Sequence, residues 1–236
     1  MTNLIEIFSS VQGEGKFVGC RQIFIRLAGC NLNCAYCDTN FNPPVFCSVE
    51  NTLIKNPVTA QQVAEIVKKL NSETPAHSIS FTGGEPLLHK NFIAEVSQLT
   101  KNSGLKIFLE TNGTLFDELE KILDCIDIVS MDIKLPSATG KNFFVEHEKF
   151  LKIAATKDLY AKIVIAEETS DEEFDSAINL ITGVSKKILL ILQPVTPVKK
   201  FHAASSEKIL SLQSRALKIL EDVRVIPQTH RLINVR

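Results

Sequence analysis

A regular alternation of short apolar runs with helix-period segments limits how this chain can fold. Six runs rich in β-branched and aromatic residues predict strands: Arg21–Gly29, Ser78–Gly84, Leu105–Gly113, Ile126–Lys134, Leu159–Glu167 and Lys187–Val195. Six segments predict helices: Thr59–Leu70, His89–Ser103, Phe116–Cys125, Asn142–Ala155, Asp171–Gly183 and Ser205–Glu221. Alternation of this kind implies a parallel sheet with right-handed crossovers. Six units are too few for an eight-stranded barrel, so we expect an α/β fold with an open, partial (β/α)6-type barrel. The stretch Thr39–Pro57 is predicted to be its longest loop.

Composition fits a globular domain and argues against polyanionic partners. The chain has 236 residues, 44% of them hydrophobic, with 26 basic and 27 acidic side chains and a net charge of −1. We therefore expect no nucleic-acid partner. The first residues lack a basic segment followed by a long apolar one, and no apolar run approaches the roughly 20 residues that span a bilayer. We expect a cytoplasmic protein with no membrane partner, in a compartment where thiols stay reduced.

Three of the six cysteines lie close together in the stretch GCNLNCAYCDTN. Cys30, Cys34 and Cys37 follow the spacing C-x3-C-x2-C, which indicates metal binding or catalysis rather than disulfides. A structural zinc site needs four ligands, and Cys47 is a possible fourth. A [4Fe–4S] cluster has four irons, so three thiolates would leave one iron open to another ligand. Spacing alone also leaves open three buried structural cysteines.

Polar and glycine-containing motifs follow the ends of the predicted strands. The cysteine stretch comes after the first strand, and TGGEP, ETNG, SMDIK and QPV end the second, third, fourth and sixth. In parallel βα architectures the loops at the carboxyl ends of the strands converge. These motifs are therefore expected to surround one cavity.

These motifs resemble a known family. The cysteine spacing, with an aromatic residue before the last cysteine, resembles the signature of the radical S-adenosylmethionine (SAM) superfamily, and GGEP resembles its SAM-binding loop. The segments IFSSVQGEG, FIRLAGCNLNCAYCDTN, SISFTGGEPLL, ETNGT, SMDIKLPS and PQTHRL together resemble the 7-carboxy-7-deazaguanine synthase family, from about residue 7 to residue 231. The resemblance implies one radical SAM domain over residues 1–236. Its core would cover about 20–200, with an N-terminal substrate element at 1–19 and a C-terminal helix and tail at 201–236.

The resemblance also implies a reaction, its cofactors and its partners. A lyase of this family converts 6-carboxy-5,6,7,8-tetrahydropterin into 7-carboxy-7-deazaguanine with loss of ammonia, for queuosine precursors. The implied cofactors are a [4Fe–4S] cluster, SAM and Mg²⁺; reductive cleavage of SAM would give a 5′-deoxyadenosyl radical that takes hydrogen from C6. Besides the pterin, the expected partners are a flavodoxin-type reductant and a second copy in a homodimer. No residue is assigned as a catalytic acid or base.

Site residues follow from the motifs that match the family. The implied metal ligands are Cys30, Cys34 and Cys37 for the cluster and Thr39 for Mg²⁺. The residues expected around SAM are Gly83, Gly84, Glu85, Ser130, Asp132, Lys134 and Gln193. The residues expected around the substrate are Val11, Gln12, Gly13, Glu14, Arg26, Thr82, Glu110, Asn112 and His230. Physically, two glycines allow close backbone approach to a ligand, Glu85 would accept from the ammonium of SAM, and the Arg26 fork fits a carboxylate.

Two other functions are consistent with parts of this pattern. An activase of a glycyl radical enzyme has the same cysteine spacing, but it must admit a peptide loop, whereas VQGEG and PQTHRL better fit a small closed site. A non-catalytic zinc or iron–sulfur scaffold would also use clustered cysteines. It gives no reason for GGEP at the end of the next strand.

Overall fold

A computed structural model of the protein describes residues 1–37, 40, 42–197 and 201–235. All six predicted strands are present and pair in parallel: β2 Arg21–Leu27, β5 Ser78–Gly83, β6 Lys106–Thr111, β7 Ile128–Asp132, β8 Asp158–Ile165 and β9 Leu189–Pro194. Four further strands extend the sheet: β1 Leu4–Val11, β3 Phe46–Val49, β4 Thr52–Lys55 and β10 Val223–Val225. The order is β10-β9-β8-β7-β6-β5-β2-β1-β3-β4. The α/β fold of parallel units is therefore confirmed.

The region before the first helix differs from the prediction. β1 runs antiparallel to β2 along almost its full length, so the N-terminal segment belongs to the sheet. Within the stretch predicted as a loop, Phe46–Lys55 forms a hairpin in which β3 pairs with β1 and with β4. The loop prediction was wrong here because the short strands, separated by a turn with Glu50 at φ 48°, carry little apolar alternation of their own.

The longer helices cover one face of the sheet, whereas the short C-terminal helix lies at the cavity. The helices are α1 Ala60–Glu73, α2 Lys90–Thr100, α3 Phe116–Glu120, α4 Pro136–Thr139, α5 Phe144–Ala154, α6 Asp171–Val184, α7 Ser206–Ala216 and α8 Thr229–Leu232. The six predicted helices are confirmed, although α3 ends at Glu120 before a separate 3-10 turn and α7 ends five residues early. Within the described chain, no helix is long and apolar enough to cross a membrane.

Strand alternation separates the apolar face under the helices from a second face, which is polar toward the carboxyl ends of the strands and carries a smaller apolar cluster around Phe108 and Tyr160. Residues such as Ile25, Phe81 and Val129 point to the helices and are fully buried in the main core. Their neighbours along each strand point to the other side, and the register sets them opposite each other. The aligned pairs on that side are Arg26 with Thr82, Glu110 with Ser130, and Asp132 with Lys162.

The start of α1 provides a test of the local structure. Thr59 accepts a hydrogen bond from the Gln62 backbone, and Gln62 accepts one from the Thr59 backbone, which makes a capping box. Thr59→Ala should lower the free energy of unfolding by about 1 kcal/mol. Ser72→Ala, which removes an exposed hydroxyl near the end of the same helix, should change it by less. Urea unfolding of both variants measures the difference, and equal losses would contradict the assigned cap.

Candidate active site

A cavity of about 630 Å³ lies at the carboxyl ends of the parallel strands. The structure brings eighteen of the predicted site residues to its lining: Val11, Gln12, Gly13, Glu14, Arg26, Cys30, Cys34, Cys37, Thr82, Gly83, Gly84, Glu110, Asn112, Ser130, Asp132, Lys134, Gln193 and His230. Two remain. Glu85 lies outside the lining, and Thr39 lies outside the described residues.

Three thiols occupy one end of this cavity. Cys30, Cys34 and Cys37 are partly exposed, and none is in a disulfide. The Cys37 amide donates to the Cys34 carbonyl at 3.0 Å, which makes the tight turn between them. Burial raises the pKa of the Cys30 and Cys34 thiols. Burial therefore favours the neutral thiol, whereas a bound cation favours the thiolate because it stabilises the negative charge.

Cys47 is not placed to complete a zinc site. Its side chain is fully buried in the main apolar core beneath the hairpin, and burial raises the pKa of its thiol to about 12. Among the described residues, no three His, Cys, Asp or Glu side chains converge on a point that could hold a single metal ion. The geometry therefore gives no support to a zinc scaffold.

The glycine pair packs directly against the cysteine loop. The Glu85 amide donates to the Gly29 carbonyl at 2.9 Å, and the Gly84 amide donates to the Leu27 carbonyl at 3.3 Å. A Cβ on Gly84 would overlap the Gly29 carbonyl oxygen, and Gly83 has a φ of 123°. Both positions therefore need glycine. The GGEP motif therefore places the glycines that are predicted to bind SAM beside the first cysteine of the cysteine loop.

Glu85 is placed differently from the sequence expectation of a ligand to the SAM ammonium. Its carboxylate is fully buried and accepts hydrogen bonds from the Leu87 amide at 3.1 Å, the Thr111 hydroxyl at 2.8 Å and the Asn112 amide at 2.8 Å. Burial raises its pKa to about 7 in spite of these donors. The Glu85 side chain, next to two glycines, could turn either to a ligand or to the backbone. Here its hydrogen bonds connect the end of β5 to the end of β6.

Residues that the sequence analysis missed hold the cysteine loop from the other side. The Asn31 side chain accepts from the Asn112 amide group and donates to the Thr114 hydroxyl, both at 2.8 Å. The Thr114 hydroxyl donates back to Asn112 at 2.6 Å. Fully buried His147 lies 3.1 Å from the Asn112 carbonyl. The sequence signal that could have identified Asn31 is its position directly after Cys30, a candidate ligand of the cluster.

A buried chain of amides and carboxylate crosses the floor of the cavity. The Gln12 amide donates to Glu110 at 2.7 Å and to Gln22 at 3.0 Å, and the Gln22 amide donates to Ser78 at 2.9 Å. The second Glu110 oxygen accepts from the Thr82 hydroxyl at 2.7 Å. This chain connects β2, β5 and β6 to Gln12, the residue that follows β1, so the positions of Gln12, Glu110 and Thr82 are fixed together.

Four charged residues form an ionic cluster on β7, β8 and the N-terminal loop. Lys134 lies 2.8 Å from an Asp132 oxygen, and Lys162 lies 3.4 Å from the same oxygen and 2.6 Å from Glu14. Burial alone would raise the pKa of Glu14, but Lys162 outweighs it and lowers the pKa to about 2. Lys162 was not predicted from the sequence.

Two polar atoms at the cavity are left for a ligand. The second Asp132 oxygen, Oδ1, and the Gln193 oxygen, Oε1, are buried and have no hydrogen-bond partner among the residues that the structure describes. Both residues line the cavity. A buried acceptor without a donor is costly, so a ligand that donates hydrogen bonds would stabilise both atoms.

The C-terminal segment closes the cavity over the N-terminal loop. The Thr229 amide and hydroxyl donate to the Gly13 carbonyl at 2.9 Å and 3.1 Å, and the Gln228 amide donates to Glu14 at 2.7 Å. A Cβ on Gly13 would overlap the His230 side chain. The N-terminal and C-terminal segments therefore meet here, although Glu14 and Gln228 are 214 positions apart in sequence.

Arg26 reaches the cavity with one side of its guanidinium already paired. Its Nε donates to Glu6 on the neighbouring strand at 2.8 Å, and its side chain is 26% exposed. This pair fixes the orientation of the fork. An Arg held in this way is suited to a planar carboxylate.

Comparison with known proteins agrees with this site. Residues 24–181 match the family model described as the radical SAM superfamily, and the chain belongs to that superfamily. Membership implies a [4Fe–4S] cluster and SAM. The chain is also 42% identical to the 7-carboxy-7-deazaguanine synthase of Geobacter sulfurreducens, over 98% of this chain and 96% of that protein. It is 38% identical to the one from Archaeoglobus fulgidus, over 99% of both. Within the superfamily it therefore belongs to the 7-carboxy-7-deazaguanine synthase family, as the motifs predicted.

Solved structures share the fold at low sequence identity. QueE from Escherichia coli is 18% identical with a TM-score of 0.64, covering 96% of this chain and 93% of that one. A radical SAM methyltransferase from Sphaerobacter thermophilus is 13% identical with a TM-score of 0.64, covering 94% and 77%. The predicted partial radical SAM barrel is confirmed by this likeness.

The contact of Gly84 with the cysteine loop gives a prediction. Gly84→Ala should displace that loop and lower the iron content after reconstitution several-fold, because the new Cβ overlaps the Gly29 carbonyl. Gly183→Ala is the control, since nothing lies within 4 Å of a Cβ at that helical position. Iron and acid-labile sulfide per chain are the measurements. Equal iron content in the two variants would contradict the assigned contact.

The lowered pKa of Glu14 predicts a pH dependence. A carboxyl whose folded pKa is about 2 stabilises the fold above its unfolded pKa, 4.5, and that stability is lost as pH falls toward 2. Glu14→Gln should therefore be less stable than the unchanged protein at pH 7, and the gap should narrow below about pH 4.5. Urea unfolding at pH 7 and at pH 3.5 tests this. A gap that stays constant would contradict the charge pairing.

Proposed function

We propose that this chain converts 6-carboxy-5,6,7,8-tetrahydropterin into 7-carboxy-7-deazaguanine with loss of ammonia, in the pathway to queuosine precursors. The observation that carries the proposal is that one cavity joins the three thiols to a polar floor and to a cover made by both terminal segments. The names of the relatives, 7-carboxy-7-deazaguanine synthase, support this product, and the substrate is inferred from the resemblance to that family. The product differs from the substrate by one ammonia, so the reaction involves no net oxidation.

The cavity suits the two cofactors that the superfamily implies. Three thiols line it, and so do Asp132 and Gln193, each of which has a buried oxygen without a partner among the described residues. We propose that Cys30, Cys34 and Cys37 hold the cluster. Gly83, Gly84, Ser130, Asp132, Lys134 and Gln193 would contact SAM, with Glu85 shaping the loop from behind. When bound, cluster and SAM supply a carbon radical that can take hydrogen from C6 of the substrate.

The remaining polar groups are assigned to the pterin. Arg26 would bind the carboxylate, since its fork is oriented by Glu6 and lines the cavity. Glu110, Thr82 and Gln12 form one fixed array that would recognise the ring, with Asn112 at its edge. Val11, Gly13, Glu14 and His230 would close over it. Because the reactive radical is generated at the cluster in this scheme, we assign no residue as a catalytic acid or base.

A magnesium ion completes the proposed site. Thr39, the expected ligand, lies outside the described residues, so this part rests on the motif alone. A threonine hydroxyl, substrate oxygens and water suit Mg²⁺, which prefers oxygen ligands. Omission of Mg²⁺ with a chelator should slow the reaction, and its return should restore it.

The wider setting of the enzyme is also a proposal. We propose that residues 1–236 act as one domain, with 1–19 and 201–236 covering a core of about 20–200. The enzyme would work in the cytoplasm as a homodimer and take electrons from a flavodoxin-type reductant. The activase alternative is less well supported, because the contact of Gly13 with His230 and Thr229 narrows the space that a peptide loop would need.

Anaerobic reconstitution with iron and sulfide tests the function directly. The protein would be supplied with SAM, a reductant, Mg²⁺ and 6-carboxytetrahydropterin, and the products followed by mass spectrometry. We expect 7-carboxy-7-deazaguanine and ammonia. Cys34→Ala should lose the product by at least about a hundredfold, equivalent to about 2.7 kcal/mol, whereas Cys125→Ala, outside the cavity lining, should retain it.

Two results would contradict the proposal in different ways. Cleavage of SAM with the pterin untouched would mean a radical SAM enzyme with another substrate. Bound zinc without acid-labile sulfide would point to a scaffold.

A further inference from the structure

The ammonium of Lys162 contacts both the N-terminal loop and the end of β7. Its side chain is 12% exposed, and its Nζ lies 2.6 Å from Glu14 Oε2 and 3.4 Å from Asp132 Oδ2. Lys162 stands directly opposite Asp132 in the register of β7 and β8. The lysine is therefore carried by a rigid strand, whereas Glu14 belongs to a loop.

Glu14, which contacts Lys162, also contacts the C-terminal segment. Its other oxygen accepts from the Gln228 amide at 2.7 Å, and the Gln228 oxygen accepts from the Thr196 hydroxyl at 2.5 Å. The Thr229 amide then reaches the Gly13 carbonyl at 2.9 Å. The Lys162–Glu14 ion pair thus connects both covering segments to β8 at the cavity, and a second pair, Lys16 with Asp158, connects the N-terminal loop to the other end of that strand.

The charges around Lys162 explain why this pair matters. Glu14 and Asp132 are carboxylates on opposite sides of its ammonium, and Lys134 neutralises Asp132 from the other direction. Without Lys162, Glu14 would be a part-buried charge with the Gln228 amide as its remaining side-chain donor among the described contacts. A charge in that position is destabilising, and the loop can relieve it by moving Glu14 into water.

We propose that Lys162 is a positioning residue that fixes the two covering segments against the β7 side of the cavity and so sets where the substrate lies relative to the cofactor. This inference rests on the proposed function, in which the covering segments contact the pterin and Asp132 contacts SAM. The lysine acts through Glu14 and Asp132 and takes no part in bond breaking. Its loss should therefore affect alignment more than cofactor content.

Three variants separate positioning from a general structural role. Lys162→Met keeps most of the stem and removes the charge, and Lys162→Arg keeps the charge. Lys152→Met is the matched control, because it removes an exposed lysine whose ion pair with Glu148 is on the surface of α5. Iron content and thermal unfolding of each reconstituted protein establish that the fold and the cluster are intact.

The first measurement is hydrogen–deuterium exchange of the reconstituted protein without SAM or substrate. The amides of Gly19 and Thr229 report on the cover, since they donate to the carbonyls of Gln12 and Gly13. Lys162→Met should speed exchange in the peptides that contain them by about tenfold or more. Lys162→Arg should restore most of the protection, and Lys152→Met should match the unchanged protein.

The second measurement is the amount of 5′-deoxyadenosine formed per molecule of 7-carboxy-7-deazaguanine. The conversion involves no net oxidation, so a well-placed substrate should return the hydrogen and little 5′-deoxyadenosine should accumulate. Lys162→Met should raise this ratio by about tenfold, the factor that corresponds to about 1.4 kcal/mol. The KM for the pterin should rise with it. Unfolding alone would lower product and 5′-deoxyadenosine together and leave the ratio unchanged.

The outcomes decide between the two proposals. Unchanged exchange and an unchanged ratio in Lys162→Met would overturn the positioning role, even if the enzyme makes its product. If the unchanged protein makes no product, the proposed function fails, and the exchange result alone decides whether Lys162 holds the cover. If Lys162→Met does not fold, Glu14→Gln removes the same ion pair from the other side. Because Glu14 is itself assigned to the cover over the substrate, exchange at Gly19 and Thr229 is then the readout that decides.

Discussion

The register of the parallel strands determines which side chains meet in the cavity. Alternation along each strand sends one set of residues to the helix side and the other to the cavity side, and pairing then sets Arg26 beside Thr82 and Asp132 beside Lys162. A slip of one residue in any strand would turn its polar side chain into the apolar core. The thick apolar layer on the helix side therefore stabilises the fold and also holds the chemical groups in place.

The part of the chain that matches the superfamily and the residues that cover the cavity lie in different regions of the sequence. The part that matches the radical SAM superfamily is 24–181, which includes the cysteines, the glycine pair and Asp132. The residues that cover the cavity, Gly13, Glu14, Gln228 and His230, lie outside that part. This arrangement suggests a physical basis for specificity. A common core would generate the radical, and the terminal segments, fixed through the buried ion pair of Lys162, would choose the substrate.

Much of this could be predicted from local patterns, and the rest depended on contacts between distant residues. The six parallel strands and the cysteine site follow from periodicity and spacing, which are properties of neighbouring residues. Lys162 looks like any lysine in a strand, because its partner Glu14 lies 148 positions away. The direction of the Glu85 carboxylate could not be inferred either, since a ligand and the Asn112 amide offer similar hydrogen bonds. The hairpin at Phe46–Lys55 was missed because its stability comes from pairing with β1.

In the proposed reaction, one cavity places C6 of the pterin beside the carbon radical derived from SAM. The most direct test uses 6-carboxytetrahydropterin carrying deuterium at C6, with the reconstituted enzyme, SAM, Mg²⁺ and a reductant. Mass spectrometry of recovered SAM and 5′-deoxyadenosine would then follow the label. We expect deuterium at the 5′ carbon and 7-carboxy-7-deazaguanine as the product. Product formed with no deuterium in either adenosyl compound would contradict this proposal.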